Sequence, residues 1–163
     1  MKKTNAVRYL DKAHINYLLR EFPVDESDLS VEKAAGLLKV PLNKIFKTLV
    51  CTGERTGPII ASIPGDCALD LKALARMSAE KKVEMVPLKE VISLTGYVRG
   101  AVSPLGIKHK YPYYLDEAAF LHKSVIISAG LRGLQIELDP CDLQKITAAF
   151  VGKIRNTSLS QGI

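Results

Sequence analysis

A lysine inside an apolar strand is the residue whose type and position most suggest chemistry. The segment from Ile45 to Cys51 has the alternating pattern of a β-strand, in which every second side chain lies on the same face. Lys47 would then share a face with Ile45, Leu49 and Cys51. Burying an unpaired ammonium costs roughly several kcal/mol, so a lysine in such a row suits the positioning or polarising of a carbonyl group. An edge-strand lysine that reaches solvent gives the same pattern, and the sequence leaves both interpretations open.

Two glycine-rich segments could bring main-chain N–H groups to a ligand. Residues 95–106 include Gly100, and residues 128–133 include Gly130 and Arg132. Glycine lets a ligand approach the backbone closely, and exposed N–H groups can hold a carbonyl oxygen or a phosphate. The Arg132 guanidinium would suit a phosphate. Structural turns with glycine at positive φ, including a tight hairpin in the second segment, also explain these patterns.

The charge balance favours a polyanionic partner without requiring one. Lysine and arginine number 23 against 17 acidic residues, which gives a formal net charge of +6. RNA would match such an excess, although many basic proteins bind no polyanion. Lys108, His109, Lys110 and Lys123 could receive an RNA backbone, or they could form only a solvated face.

Several common chemistries are not predicted. The three cysteines have no C-x-x-C spacing and the three histidines form no H-E-x-x-H motif, so neither a disulfide framework nor a metal site is expected. Neither common phosphate-cradling glycine motif occurs, and no serine has a histidine or aspartate at a diagnostic spacing. We therefore expect no cofactor. The lack of a signal peptide or a membrane-length apolar run predicts a cytoplasmic protein without a membrane partner.

Capping and periodicity signals predict short helices and strands within one domain. The predicted helices are 4–13, 31–38 after a Ser30 cap, 71–77 after an Asp70 cap, 88–94, and 140–150 after an Asp139 cap. The predicted strands are 15–19, 45–51, 59–63, 83–86, 124–128 and 134–138. The second and third strands form a hairpin, and residues 95–106 form turns and loop. Because helices and strands do not alternate regularly, we expect an α+β fold on a curved, mixed sheet rather than a doubly wound one.

Three separated motifs together resemble one family. They are Phe-Lys-Thr-Leu at 46–49, Thr-Gly-Tyr-Val-Arg-Gly with Ser-Pro-Leu-Gly within 95–106, and Ser-Ala-Gly-Leu-Arg-Gly-Leu-Gln-Ile-Glu-Leu at 128–138. In this order and spacing they resemble the YbaK/EbsC family, which is related to the editing (insertion) domain of bacterial prolyl-tRNA synthetases. Lys-Val-Glu-Met at 82–85 is also similar to the family. The resemblance covers residues 4–152, which we expect to form the editing domain, with 153–163 as a loose C-terminal tail.

The resemblance implies a fold, an activity and partners. The family fold is a single α+β domain with a mixed, partly open, β-barrel-like curved sheet and flanking short helices. The implied activity is that of a free-standing, trans-editing hydrolase, which deacylates Cys-tRNA(Pro). Cysteine and proline are similar in size, so a synthetase cannot separate them by sterics alone, and hydrolysis at a second site is the general remedy. The implied partners are aminoacyl-tRNA and prolyl-tRNA synthetase, with no cofactor and no prediction of oligomeric state.

The resemblance also assigns site residues. The signature lysine of the family matches Lys47, which becomes the candidate catalytic residue. Family glycines that line the aminoacyl pocket match Gly100 and Gly130, and Thr48 and Ser128 lie near them as candidate substrate-binding residues. In the resulting hypothesis, Lys47 hydrogen-bonds the aminoacyl ester or the terminal ribose phosphate, and N–H groups near Gly100 hold the carbonyl oxygen. Water or the cysteine thiol of the substrate makes the attack.

The sequence departs from the family at the wall of the pocket. An aromatic residue and a glycine often precede the second helix in the family, where this chain has Leu29, Ser30 and Val31. Gln135 stands where some relatives have aspartate, and no catalytic role is assigned to it. The choice among cysteine, alanine and serine is therefore open. The alternatives are a deacylase of Ala-tRNA(Pro) or another mischarged tRNA, and a non-catalytic RNA-binding or regulatory module of the same fold.

Overall fold

The computed structural model describes residues 3–156 of the 163-residue chain. The α-helices are α1 (Asn5–Lys12), α2 (Val31–Leu38), α3 (Leu71–Met77), α4 (Leu88–Thr95) and α5 (Pro140–Thr147). The strands are β1 (Leu18–Glu21), β2 (Phe46–Gly53), β3 (Gly57–Pro64), β4 (Ala68–Leu69), β5 (Val83–Met85), β6 (Tyr113–Asp116), β7 (Val125–Leu131), β8 (Leu134–Leu138), β9 (Phe150–Gly152) and β10 (Arg155–Asn156). Short 3-10 turns at Leu42–Lys44 and Glu117–Leu121 precede β2 and β7. No helix in this part of the chain is long and apolar enough to cross a membrane.

Most strands belong to two sheets that meet at one point. The large sheet has the order β5-β2-β3-β6-β9, with antiparallel pairing of β5, β2 and β3 and parallel pairing of β3, β6 and β9. The small sheet has the order β1-β8-β7 and is antiparallel. A parallel bridge between Ile45 and Ile126 joins the start of β2 to β7. The expected single α+β domain with a mixed, partly open sheet is confirmed, and the described strands do not close into a barrel.

The two faces of the β2–β3 hairpin pack into different apolar clusters. Phe46 and Val50 of β2 lie in the main core, which also includes α1 and the inner face of the small sheet. Cys51 lies on the opposite face, where it packs with Ile59 of β3 and Leu74 of α3. Alternation along β2 explains this division, since side chains two residues apart share a face. Apolar burial on both faces therefore fixes β2, the strand that carries the candidate lysine.

Local capping residues set the starts of four helices. Side-chain oxygens of Thr4, Ser30, Asp70 and Asp139 each accept a hydrogen bond from a main-chain N–H in the first turn of α1, α2, α3 and α5, respectively. The caps Ser30, Asp70 and Asp139 agree with the sequence prediction. The positions of these helices are therefore determined largely by their own residues.

The C-terminal part of the fold differs from the prediction. Helix α5 ends at Thr147, because Ala148 adopts a left-handed conformation with φ 56° and its N–H donates to the carbonyl of Gln144. Phe150, predicted as the last residue of this helix, instead begins β9 and pairs with Tyr114 of β6. Neither β6 nor β9 is predicted from the sequence, because each is short and pairs with a strand far along the chain.

The first strand is also displaced from its prediction. Strand β1 begins at Leu18, whereas the sequence predicted a strand at 15–19.

Residues 153–156 are fastened to the domain. Ile154 is fully buried, and β10 pairs with β4. The buried carboxylate of Asp116, at the end of β6, accepts hydrogen bonds from the N–H groups of Ile154 and Arg155 and from the guanidinium of Arg155. The sequence predicted a loose tail from residue 153, but residues 153–156 are held in place by these contacts. Residues 157–163 lie outside the part of the chain that the structure describes.

A buried carboxylate ties β8 to the turn before β2. Glu137 is 8% exposed and accepts hydrogen bonds from Lys44 Nζ at 2.8 Å, Arg20 Nε at 2.9 Å and Ser124 Oγ at 2.5 Å. Burial by itself raises the pKa of Glu137, but the hydrogen bonds from Lys44, Ser124 and Arg20 outweigh burial and lower this pKa to about 2. The network therefore holds the start of β2 against the small sheet.

We expect Glu137→Gln to lower the free energy of unfolding at pH 7 by about 1–2 kcal/mol, because the variant leaves Lys44 and Arg20, whose side chains are 24% and 34% exposed, without a carboxylate partner. The folded pKa of Glu137 lies below its ordinary value of 4.5, so its contribution is present above that value and is lost as pH falls through about 2. Urea unfolding at a series of pH values should therefore show a steeper acid loss of stability for the wild type than for the variant. Parallel pH curves would contradict this role.

Candidate active site

A small pocket lies where the two sheets part. Beyond the bridge between Ile45 and Ile126, no ladder joins β2 to β7, so this edge of β2 stays unpaired until β5 joins it at Cys51. The gap holds a pocket of about 120 Å³, lined by the loop before α2, the start of β2, the loop after α4 and the β7–β8 hairpin. This volume is below the roughly 300 Å³ at which sites for drug-sized ligands begin, so the pocket suits a small side chain.

Lys47 lines this pocket from the second position of β2. Its side chain is half-buried, and Nζ lies 3.5 Å from the carbonyl oxygen of Gly65, at the limit of hydrogen-bonding distance. Among residues 3–156, no carboxylate forms an ion pair with Lys47. Lys47 is not on an edge strand, since β2 lies between β5 and β3; it lies on a stretch of β2 that is unpaired on one side, and it lines the pocket.

Thr48 brings a hydroxyl and main-chain groups to the same pocket. Its Oγ1 lies 2.7 Å from the hydroxyl oxygen of the buried Ser62 on β3. Along a strand, the main-chain groups of successive residues face opposite edges. The carbonyl of Val50 accepts from the N–H of Val86 on the β5 side, so the N–H and carbonyl of Thr48, two residues earlier, face the unpaired edge. The pocket therefore receives polar groups from both faces and from the edge of β2.

Ser128 of β7 and Gln135 of β8 lie opposite each other in the small sheet, and both line the pocket. Ser128 Oγ accepts a hydrogen bond from the N–H of Gly130 at 3.1 Å, which leaves its own hydroxyl proton free to donate. Gln135 is 7% exposed, and its side-chain amide forms no hydrogen bond with any described residue. Because this amide lines the pocket without a partner among the described residues, it is available to hydrogen-bond a ligand there.

Gly100 lines the pocket from the loop after α4. Its φ of 83° lies in the left-handed region, where any other side chain would be strained. The N–H of Ala101 donates to the carbonyl of Val98 and closes a turn, while the N–H of Gly100 has no partner among the described residues. A Cβ at this position would lie 3.5 Å from Leu29. Gly100 thus offers the pocket an N–H group without a partner in the described part of the chain, and no atom crowds its Cα.

Gly130 is not among the residues that line the pocket. A Cβ on it would lie 2.7 Å from the ring of Tyr97, so glycine is needed where the irregular part of β7 packs on this ring. Tyr97 in turn donates its hydroxyl to the carbonyl of Leu105 at 2.6 Å and supports the loop of residues 95–106. The structure therefore brings Lys47, Thr48, Gly100 and Ser128 together, and it places Gly130 behind the wall.

Arg132 fastens three segments around the pocket, which it also lines. Its Nε donates to the carbonyl of Arg99 at 2.9 Å, and one terminal nitrogen lies 3.7 Å from the carboxylate of Glu26. The β7–β8 turn is thereby tied to the loop after α4 and to the acidic loop before α2. The Arg132 guanidinium, which the sequence suggests as a ligand for a phosphate, is thus partly engaged within the protein.

The rim of the pocket is acidic near α2. Asp25 and Asp28 line it, together with residues 29–31, where the sequence departs from the YbaK/EbsC pattern. Hydrogen bonds from Ser27 lower the pKa of Asp25, and hydrogen bonds from Ser30 lower the pKa of Asp28. Both side chains are therefore carboxylates at neutral pH, and they suit a positively charged group at the pocket mouth.

We expect Gln135→Leu to separate substrate binding from stability. Because this amide forms no hydrogen bond with a described residue, its removal should change the free energy of unfolding by less than about 0.5 kcal/mol. Losing its hydrogen bond to the substrate should raise KM for aminoacyl-tRNA by about tenfold, the equivalent of ~1.4 kcal/mol. Urea unfolding and steady-state kinetics measure the two effects. A less stable variant with an unchanged KM would show that Gln135 serves packing instead.

The pocket offers polarising groups without an activated protein nucleophile. No histidine or cysteine is among its lining residues, and within residues 3–156 no three side chains of His, Cys, Asp or Glu cluster as a metal site would require. A lysine, main-chain N–H groups, three hydroxyls and an amide instead surround a small cavity. These features define a class of α+β protein whose pocket can hold a small aminoacyl group and polarise its carbonyl.

Comparison with known proteins identifies the family. The aminoacyl-tRNA editing domain matches residues 25–146. EbsC of Enterococcus faecalis, whose name gives it as a proposed Cys-tRNA(Pro)/Cys-tRNA(Cys) deacylase, is 47% identical over 146 residues, which cover 90% of this chain and 89% of EbsC. The proline–tRNA ligase of Thermosipho africanus is 34% identical over 77 residues, or 47% of this chain and 14% of the ligase. The crystal structure of a proposed trans-editing enzyme for prolyl tRNA synthetase matches with a TM-score of 0.82 at 26% identity, covering 96% of this chain and 99% of that one.

This chain therefore belongs to the aminoacyl-tRNA editing domain family, within the YbaK/EbsC group that its three motifs resemble. It is a hydrolase that acts on aminoacyl-tRNA, as the sequence predicts.

Sequence reasoning missed Gln135 as a pocket residue. The signal that could have found it is its strand, in which Leu134, Ile136 and Leu138 alternate with polar residues. Pairing around the Gly-containing turn places Gln135 opposite Ser128, a residue already predicted for the site. A polar residue opposite a site residue on the same hairpin faces the same pocket.

Proposed function

We propose that this protein is a trans-editing enzyme that hydrolyses the ester joining cysteine to proline tRNA. The observation that carries the proposal is the convergence of Lys47, Thr48, Gly100 and Ser128 on one small pocket at the unpaired edge of β2. The volume of about 120 Å³ suits a side chain as small as that of cysteine. The 47% identity to EbsC supports the choice of Cys-tRNA(Pro) among mischarged tRNAs.

Each group has a role in this proposal. Lys47 hydrogen-bonds the aminoacyl ester or the terminal ribose phosphate, and the N–H groups of Gly100 and Thr48 hold the carbonyl oxygen as negative charge develops on it. The carboxylates of Asp25 and Asp28 attract the α-ammonium of the aminoacyl group. As the attacking group bonds to the carbonyl carbon it gives up a proton, the ester C–O bond breaks, and the ribose oxygen leaves as a hydroxyl that carries this proton.

The attacking atom comes from outside the protein. The Thr48 hydroxyl is engaged with Ser62, Ser128 Oγ accepts from Gly130, and the lining residues include no histidine that could activate either one. Water or the thiol of the substrate cysteine makes the attack. A tRNA(Pro) charged with S-methylcysteine separates the two routes, because only attack by water releases this amino acid.

The proposed setting is cytoplasmic translation, with residues 4–152 as the editing domain. The substrate is a tRNA that prolyl-tRNA synthetase has mischarged, so the synthetase is the proposed protein partner. Sequence similarity to a proline–tRNA ligase supports this relation.

The testing experiment measures amino acid release from Cys-tRNA(Pro), Ala-tRNA(Pro), Pro-tRNA(Pro) and Cys-tRNA(Cys). Rapid loss of cysteine from tRNA(Pro), with prolyl and alanyl esters intact, is the expected result. Loss of alanine instead would keep the chemistry and change the substrate. An absence of turnover on all four would contradict the proposed editing activity and favour a non-catalytic RNA-binding module.

A further inference from the structure

A second cleft, here called the basic cleft, lies at the far end of the loop that forms one wall of the pocket. It has a volume of about 320 Å³ and lies between residues 104–111, α1 and the end of α5. This volume falls within the range of roughly 300–1,000 Å³ that is typical of ligand sites. The basic cleft is therefore large enough for a group bigger than the pocket can accept.

The ionisable side chains of the basic cleft are unbalanced in charge. Lys108, His109 and Lys110 are exposed along it, and its lining includes no aspartate or glutamate. Neither lysine forms an ion pair with a described residue. The pocket, in contrast, combines cationic and acidic residues. A concave surface with unpaired cations and no carboxylate is complementary to a polyanion.

Aromatic rings lie among these cations. The hydroxyl of Tyr9 donates to the carbonyl of Ile146 at 3.3 Å, and that of Tyr111 donates to the carbonyl of Leu94 at 2.9 Å. These bonds fix the two rings in the lining of the cleft. The ring of His109 lies 5.9 Å from that of Tyr111 and is inclined to it by 51°. Aromatic rings interleaved with basic side chains are typical of single-stranded RNA sites, where bases stack and phosphates pair with lysines.

The basic cleft is close to the pocket along a short segment of backbone. Val102 lines the pocket and Pro104 lines the cleft, so two residues, at most about 7 Å of chain, separate them. Gly106 packs tightly on the start of α1, since a Cβ there would lie 2.9 Å from the carbonyl carbon of Asn5. The fold therefore holds the cleft next to the pocket, within reach of the nucleotides that precede the terminal one.

We propose that the basic cleft binds the single-stranded 3′ end of the tRNA, with Lys108 and Lys110 on phosphates and His109 and Tyr111 beside a base. This inference rests on the proposed function, because the aminoacyl ester must occupy the pocket for the preceding nucleotides to reach the cleft. The nucleotides next to the terminal one are single-stranded ribose phosphates, and their charge matches that of the cleft. The cleft supplies affinity for RNA, while the pocket holds the ester.

The test compares two variants that remove the same charge. Lys108→Gln/Lys110→Gln alters the basic cleft, and Lys72→Gln/Lys81→Gln removes two exposed lysines at α3 and in the turn that follows it. The affinity for uncharged tRNA(Pro) is measured over a range of salt concentrations. Deacylation is measured on Cys-tRNA(Pro) and on cysteinyl-adenosine, which carries the ester without the preceding nucleotides.

In the cleft variant, we expect tRNA affinity to fall about tenfold and the slope of log affinity against log salt to shrink by about 1.4, or ~0.7 per lost phosphate contact. KM for Cys-tRNA(Pro) should rise by a similar factor, with cleavage of cysteinyl-adenosine unchanged. A cleft variant that matches the Lys72/Lys81 control, or that loses both substrates equally, would overturn the inference. If the wild type deacylates nothing while the cleft variant still loses tRNA affinity, the proposed editing function fails and the RNA site stands.

Discussion

Replacing Lys47 by alanine is expected to lower kcat/KM for Cys-tRNA(Pro) by about 10²–10³-fold, because the variant loses a positioned cationic donor to the ester or the terminal ribose phosphate. Within the described residues, the only hydrogen bond of the Lys47 side chain is the 3.5 Å contact with the carbonyl of Gly65. This side chain is half-buried and lies where β2 is unpaired on one side. The free energy of unfolding should therefore change by less than about 0.5 kcal/mol. Single-turnover deacylation with enzyme in excess, alongside urea unfolding, measures both quantities.

Two further variants make the Lys47 result specific. Lys72→Ala removes an exposed lysine of α3 and should leave deacylation unchanged, which controls for net charge. Lys47→Arg keeps the charge but places a larger, planar group in a small pocket, so we expect partial activity with a raised KM. Retention of wild-type kcat in the alanine variant would contradict a catalytic role for Lys47.

Replacing Asp116 by alanine is expected to lower the free energy of unfolding by about 3–5 kcal/mol, the cost of breaking a buried ion pair from one side. The carboxylate is fully buried and accepts four hydrogen bonds, from the N–H groups of Ala118, Ile154 and Arg155 and from the Arg155 guanidinium. Its loss would leave these donors unpaired and release residues 153–156 from β4. Thermal unfolding should show a fall in Tm of roughly 10 °C for a chain of this length.

The partner residue provides the control for Asp116. Arg155→Ala removes a side chain that is still 21% exposed, so it should cost less, about 1–2 kcal/mol. The double variant should be little worse than Asp116→Ala alone, because the two changes remove one network. Deacylation per folded molecule at low temperature should be unaffected. Additive effects of the two substitutions would contradict the network.

Local signals predicted most of the secondary structure correctly. The capping residues Ser30, Asp70 and Asp139 each start a helix where the sequence places it, because a cap acts on N–H groups only two or three residues away. The strand that carries Lys47 is also found by alternation, which depends on neighbours in the chain. Strands β6 and β9 were not found, since each is short and its pairing partner lies far away in sequence.

The candidate site was predicted only in part. Lys47, Thr48, Gly100 and Ser128 came from motif resemblance, and the structure brings all four to one pocket. Gly130 shares a motif with Ser128, yet its positive φ and its close packing on the ring of Tyr97 place it behind the pocket wall. Motif spacing alone cannot distinguish a glycine that lines a pocket from one that packs against a ring.

By itself, the sequence determined the caps, the β2–β3 hairpin, the face on which Lys47 lies and the family, since these follow from residues close together in the chain. Only the tertiary structure decided that β2 and β7 meet at Ile45 and Ile126 and then part. That separation leaves one edge of β2 unpaired and brings Lys47 to the same cavity as Ser128 and Gln135. The physical reason is that contacts across some 80 residues depend on how the two sheets pack together, and local backbone preferences do not encode such packing.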